Sequence, residues 1–464
     1  LSDLTYAAVA TTPVATPDDL TEVSAPAPTP AWSFVTRLGF RAAFCYCLLY
    51  ALCCGNATIW EVIPFGAGDH ISEWLAWPFE HGAQWIGQHW LHLTGVGAKL
   101  HGGGSGDRAL DWTAMFLMMA VALVATLLWT AVAEMRAKPV RAYPRLFFWM
   151  RFILRLALGY AMLNYGMVKV FPLQMAPPSL AVLNEPLGNS SPMTMLWTLI
   201  GLNPIYEMIC GAAEVLGGAL LLFRRTALVG TLLTIFLTTN IVLYNFCFDV
   251  PVKIYAAHLL LISLVLLAPS VESLWAYFIL HRPTLPVDRW TRPARRFGLR
   301  VETVVTAVVL LLVAGQGAFQ LGQGYFKQQA SIAHPSQWVG QWHVASATLN
   351  GQAKPFLTGD GLPMTDIFVE PSGRTMLRDS ATVLWRAGVR VDDKKHTVRI
   401  GSAFLDHPLV YAMAQPDPAH MVLTPTDKDA KTASVLALTR VPLPSSYPLL
   451  ERGFHFVNEW GLER

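Results

Sequence analysis

The stretch RFILRLALGYAMLNYGMVKV, residues 151–170, decides the fold of this chain together with YEMICGAAEVLGG, residues 206–218. Both are apolar runs in which ionisable or small residues recur at helical spacing. An ionisable group inside a bilayer costs several kcal/mol unless it is paired or hydrated, so each asks for a reason. In the first run Arg151 and Arg155 stand one turn apart and are followed by Tyr160, Asn164 and Lys169. In the second, Glu207, Gly211, Glu214 and Gly218 fall on one helical stripe. Small residues on such a stripe let another helix approach closely.

Working outward, apolar residues make up 53% of the 464 and charged residues only 14%. A soluble domain carries about 25% charge, so much of the chain faces lipid. A spanning helix needs about 20 apolar residues, and runs of that kind lie roughly at 33–55, 110–133, 146–169, 204–223, 226–247, 252–269 and 301–323. The bundle is expected over 31–325. The positive residues cluster in alternate connections: Arg136, Lys138, Arg141 and Arg145; Arg224 and Arg225; and Arg282 through Arg300, with Arg37 and Arg41 at the first helix. Seven spans put every basic connection on one side, which predicts a cytoplasmic N-terminus and an extracytoplasmic C-terminal domain. The net charge of +3 is too small to imply a nucleic-acid partner. Membrane lipids are the partners the composition implies.

Residues 1–30, rich in Ala, Pro and Thr, read as a disordered cytoplasmic tail with no cleavable signal peptide, and the start at Leu1 suggests a longer translation product. The first external loop, 56–109, contains ISEWLAWPFEHGAQWIGQHWLHLTG, whose four tryptophans suit a helix in the headgroup region. His81, His89 and His92 there are either metal or haem ligands or ordinary interfacial histidines. The loop closes on GGGSGD (102–107), with no preceding strand to make it a phosphate loop. The cysteines of FCYCLLYALCC (44–54) are either a redox or metal cluster or small buried hydrophobes.

After the last span, residues 333–445 alternate in short strands separated by turn signals, which predicts a small antiparallel barrel or sandwich with Trp338, Trp342 and Trp385 in its core. Its opening GxW and closing strands resemble small lipocalin-type barrels. An amphipathic tail follows at 446–464. The fold class expected is therefore a mainly α membrane protein: an about seven-helix transmembrane bundle plus a small antiparallel β-barrel or sandwich.

The polar residues of the spans supply the candidate site. At 1.5 Å per residue, Arg155 and Glu214 lie at similar depths, roughly 13 Å from the cytoplasmic ends of antiparallel helices, which predicts a structural Arg155–Glu214 ion pair. Lys169, Glu207, Asp249, Lys253 and His258 gather toward the external half, with Asn240 and Tyr244 on the neighbouring helix. They form either a hairpin-closing network or a polar pocket. In the pocket, Lys169, Lys253 and His258 donate protons to a ligand oxygen, while Glu207, Asp249, Asn240 and Tyr244 bind the substrate. No metal site is expected.

Over residues 146–270, the run GYAMLNYGMVKVF, then GAAEVLGGALLLFRR and a polar helix hairpin, resembles the DoxX/DoxD family of bacterial membrane proteins. The resemblance implies a multi-pass protein of the bacterial cytoplasmic (inner) membrane, a quinone as ligand, and redox or other membrane-complex partners. Members of that superfamily include quinone-linked oxidoreductases and, more broadly, the membrane part of vitamin-K-dependent carboxylases. The first loop, the additional spans and the β domain depart from the small members. The expectation is a quinone-associated redox subunit or oxidoreductase; the alternative is a non-enzymatic scaffold, assembly factor or transporter.

Overall fold

The computed structural model describes residues 31–53, 59–63, 66–94, 106–137, 141–284, 296–372, 374–392, 395–402, 405, 407–426 and 433–451. The expected N-terminal tail, most of the glycine-rich turn, Cys54 and most of the C-terminal tail lie outside them. The helical part runs α1 (Phe34–Cys53), α2 (Ala67–His89), α3 (Ala109–Glu134), α4 (Pro144–Val170), α5 (Leu180–Leu183), α6 (Pro192–Gly201), α7 (Pro204–Leu222), α8 (Ala227–Cys247), α9 (Lys253–Leu267) and α10 (Val271–Phe278). It ends with α11 (Arg296–Leu312), a π-helical turn (Val313–Gly317) and α12 (Ala318–Ala333).

Among the described residues six helices, where seven are expected, are each long and apolar enough to cross a membrane: α1, α3, α4, α7, α8 and the α9–α10 unit. The expected seventh, 301–323, is not one uninterrupted α-helix. The π turn divides it, and the glycines and glutamines of the second half dilute its apolar face. α2 packs antiparallel along the start of α3, Gly82 against Leu117 and Gly87 against Leu110. Its tryptophans, Trp74, Trp77, Trp85 and Trp90, remain exposed. His81 and His89 each stack on the tryptophan four residues earlier and bond to its carbonyl at 2.9 Å. The described cysteines are free thiols, Cys47 and Cys53 buried.

α4 is the axis of the bundle, the most buried of the six spans. Proline starts it at Pro144, where the missing N–H is not needed. Its glycines meet those of α7 backbone to backbone. A Cβ on Gly166 would stand 2.8 Å from the carbonyl oxygen of Gly211, and one on Gly218 would stand 2.9 Å from that of Gly159. No side chain fits in either place. Asn203 caps α7 through the N–H of Ile205, with Pro204 in its first turn. α11 also lies against α4, where Phe152 and Leu156 pack with Val309 beside Leu222 of α7. Gly322 on α12 reaches Phe171, so the composite helix runs along α4 toward its C-terminal end.

The β domain is a closed antiparallel barrel of eight strands in simple up-and-down order. The strands are β1 (Gly340–Leu349), β2 (Gln352–Ala353), β3 (Met364–Val369), β4 (Thr375–Asp379), β5 (Leu384–Asp392), β6 (Thr397–Ser402), β7 (Leu409–Asp417), β8 (His420–Pro425) and β9 (Val435–Val441). The two-residue β2 is an appendage of β1, and pairing of β1 with β9 closes the barrel. Closure removes the sheet edges that would otherwise recruit other strands. Trp338, Trp342, Ile400, Tyr411 and Leu436 fill the interior, with Trp385 packed against them, and leave a void of only about 20 Å³. An eight-stranded barrel is just wide enough to be filled by its own side chains, and this one is.

Placing a branched side chain at the glycine contact should separate α4 from α7. Gly166→Val and Gly211→Val are each expected to cost about 1–3 kcal/mol, the range for overpacking. Thermal unfolding in detergent should show a lowered Tm for both, with Gly188→Val, where a Cβ meets nothing within 4 Å, unchanged.

Candidate functional site

The glycine contact also builds the site. Because Gly211 has no side chain, the backbone of α7 passes so near Lys169 that a Cβ on Gly211 would lie 2.7 Å from the lysine's own Cβ. One turn further along α7, Glu214 comes within reach of the ammonium. Lys169 Nζ donates to Glu214 Oε1 at 2.5 Å, with both side chains about 95% buried at 6% and 5% exposure. The second carboxylate oxygen, Glu214 Oε2, is buried without a hydrogen-bond partner among the described residues.

The expected Arg155–Glu214 pair is therefore corrected. Arg155 pairs with Glu302 of α11, and Glu214 pairs with Lys169. Register favours the exchange: with Gly166 against Gly211, Glu214 is level with Leu163, roughly 9 Å along the axis from Lys169 and roughly 12 Å from Arg155.

Lys169 and Glu214 form part of the wall of a cavity of about 950 Å³ between the C-terminal end of α4 and the barrel. Tyr165, Tyr244, Asn245 and Tyr255 continue the bundle wall, and Met162, Ile241 and Leu259 supply apolar surface. The connection between α4 and α7 forms one side, including Ser179 and Trp197. The barrel closes the far side with Glu370, Arg374, Met376 and Arg386.

Of the residues singled out from the sequence, Lys169, Glu214 and Tyr244 line this cavity and the others do not. Glu207 turns away to accept hydrogen bonds from the backbone N–H groups of Gln174 and Met175, at 3.1 and 2.9 Å, stapling the connection that follows α4. Asp249 has a positive φ of 52° in the turn between α8 and α9 and pairs with Lys253 at 2.6 Å. Asp107 caps the first turn of α9 through the N–H groups of Lys253 and Ile254. Asp249 and Lys253 thus close the hairpin and do not line the cavity. His258 is clamped between α1 and α9: it bonds to the carbonyl of Ile254 at 2.7 Å and to Tyr46 at 2.6 Å, and it stacks on Tyr50 at 3.6 Å. Asn240 is exposed on the outer face of α8.

Sequence reasoning missed Glu370, Arg374 and Arg386, because nothing in a strand's alternation says which bundle connection it will meet. The meeting is made by polar contacts. The N–H of Ala181 donates to Glu370 Oε1, Arg378 donates to the carbonyl of Asn184, and Asn184 donates to Tyr447 at 2.8 Å. Burial pushes the Glu370 carboxyl above its ordinary value, against the lowering effect of the backbone donors and Arg374. Burial acts the same way on Asp366, but hydrogen bonds from Gln341, Arg378 and Thr365 outweigh it and hold that carboxyl below its ordinary value.

Fold and site together define a multi-pass membrane protein whose filled β-barrel caps a cavity at one end of a glycine-packed helical bundle. No family model matches the chain, and no solved structure matches it. The uncharacterized protein YwoB of Bacillus subtilis is 34% identical over 113 residues, which make up 24% of this chain and 71% of YwoB. The chain belongs to the family of YwoB.

Removing one partner of a buried ion pair strands the other. Lys169→Met and Glu214→Leu should each destabilise by about 3–5 kcal/mol, and the double variant by much less than the sum. A double-mutant cycle on Tm measures this, and Arg155 with Glu302 should couple likewise, while Arg155 with Glu214 should add. The pH dependence has a definite sign. A carboxyl with a raised folded pKa binds its proton more tightly when folded, so the Glu370 contribution is full at acidic pH and is lost as pH rises through that pKa. Glu370→Gln should therefore flatten the fall in Tm as pH rises above the ordinary carboxyl range.

Proposed function

We propose that this chain is a DoxX-like, quinone-associated redox subunit of the bacterial cytoplasmic membrane, holding the quinone head group in the cavity beneath the barrel. The observation that carries the reading is the unpartnered, buried Glu214 Oε2 beside Lys169 on the wall of a 950 Å³ space. A buried carboxylate oxygen without a partner is costly, and the hydroxyl of the reduced form, the quinol, donating to it removes the cost. The residues fit such a ligand. Lys169 Nζ donates to a ring oxygen, Tyr244 offers a second hydroxyl, and Met162, Ile241 and Leu259 take the apolar body. A volume of this size matches small-molecule sites in general. A quinone, when bound, supplies two-electron chemistry coupled to proton uptake at its oxygens. Lys169 and Glu214 hold the head group in place and set the charge beside it. The electrons come from a partner protein or small substrate.

Orientation belongs to the same proposal. Arg37 and Arg41 pair with Glu134, and Arg224 lies over Phe148, which gathers basic residues at one end of the bundle. The barrel sits against the other end of α4. The composite α11–α12 helix follows α4 from Arg155 to Phe171, and we take it as a seventh crossing. The N-terminus is then cytoplasmic and the barrel extracytoplasmic.

A second reading, a membrane scaffold or assembly factor, is favoured by the filled barrel, which has only its outer surface to offer a partner.

Organic extraction of protein purified from its native membrane should yield close to one quinone per chain. Ile241→Trp, which fills the cavity without touching the ion pair, should reduce it about tenfold or more at an unchanged Tm, and Glu214→Gln should reduce it likewise, with the fall in Tm that stranding Lys169 brings. Folded wild type without extractable quinone, or unchanged yields in both variants, would remove this reading in favour of the scaffold.

A further inference from the structure

The outward face of the barrel next to the cavity carries an arginine stripe. On β5 the odd-numbered Trp385, Ala387, Val389 and Val391 pack with the barrel core, so the alternate residues Arg386 and Arg390 face outward. Arg390 stands directly opposite Arg399 of β6, and both are exposed. Like charges directly opposed across a strand pair destabilise it, so an uncompensated Arg–Arg pair implies a counter-charge from elsewhere. None of Arg386, Arg390 and Arg399 forms an ion pair with a carboxylate among the described residues, whereas Arg378 on the same face is taken up by Asp366 at 2.8 Å.

The position of the stripe identifies the counter-charge. Arg386 lines the cavity together with Lys169 and Leu259, so this face looks onto the end of the bundle and hence onto the bilayer surface. Pairing of β4 with β5 stops at Thr375 and Ala387, so the β5–β6 hairpin carries Arg390 and Arg399 past the edge of β4. We propose that this face is an anionic-lipid surface, in which Arg386, Arg390 and Arg399 bind phosphate headgroups of the leaflet from which the bundle emerges and hold the barrel down over the cavity. Guanidinium forks suit phosphate oxygens, and basic groups at a membrane surface are attracted by anionic lipid within a Debye length. The inference is independent of what occupies the cavity.

Arginine footprinting with phenylglyoxal, read by peptide mass spectrometry on the full chain in lipid nanodiscs, tests it. Discs with about 30 mol% phosphatidylglycerol should slow modification of Arg386, Arg390 and Arg399 by at least about threefold relative to pure phosphatidylcholine, and about 0.5 M NaCl should abolish the difference. Arg390→Gln, an exposed substitution expected to leave Tm unchanged, should return Arg399 toward its rate in phosphatidylcholine. Equal rates in both discs, or Arg399 still protected in the variant, would overturn the proposal. Equal protection by inorganic phosphate in phosphatidylcholine discs would overturn it in favour of a soluble anion, and protection appearing only with an added acidic protein would overturn it in favour of a protein partner.

Discussion

The structure depends on the close approach of α4 to α7. Inside lipid, no hydrophobic force draws two apolar helices together, so their association rests on packing and on buried polar partners. Here both are supplied by one stripe. Gly159 and Gly166 on α4 meet Gly218 and Gly211 on α7 at backbone distance, and the same register brings Lys169 to Glu214. The C-terminal end of α4 is thereby fixed, and with it the connection that Glu207 staples and the barrel grips through Ala181 and Asn184. The cavity exists because these parts meet around an ion pair that leaves one carboxylate oxygen unsatisfied.

Much of this was legible in the residues. Six of the expected spans exist, because about 20 apolar residues in a row have few other fates. The strands of the β domain showed in their alternation, and the barrel buries Trp338 and Trp342 as that alternation demands. The glycine–glutamate stripe of α7 correctly marked a close helix contact. What sequence could not supply was azimuth and register. Counting from the helix ends puts Arg155 and Glu214 level, but the glycine register sets them roughly 12 Å apart along the axis, and Glu302, the true partner of Arg155, sits in a run that reads as merely apolar.

The same limit shaped the site. Lys253, Asp249 and His258 are close to Lys169 in depth, yet each is consumed by local structure: a turn with positive φ, a helix cap, and a histidine wedged between Tyr46 and Tyr50. Such duties leave no mark on composition. Conversely, Glu370 and Arg386 reach the cavity only through the docking of a separate domain, which no local pattern encodes. The barrel, often a container in other proteins, is here filled by its own tryptophans and meets the bundle with its outer face.

The most direct test of the central claim is a density map, at side-chain resolution, of the protein in nanodiscs formed from its native membrane. The account predicts density in the cavity with an oxygen within hydrogen-bond distance of Glu214 Oε2, and Lys169 on the other side of the same group. A cavity closed by collapse of the barrel onto the bundle, with Glu214 Oε2 satisfied by a protein donor, would contradict it.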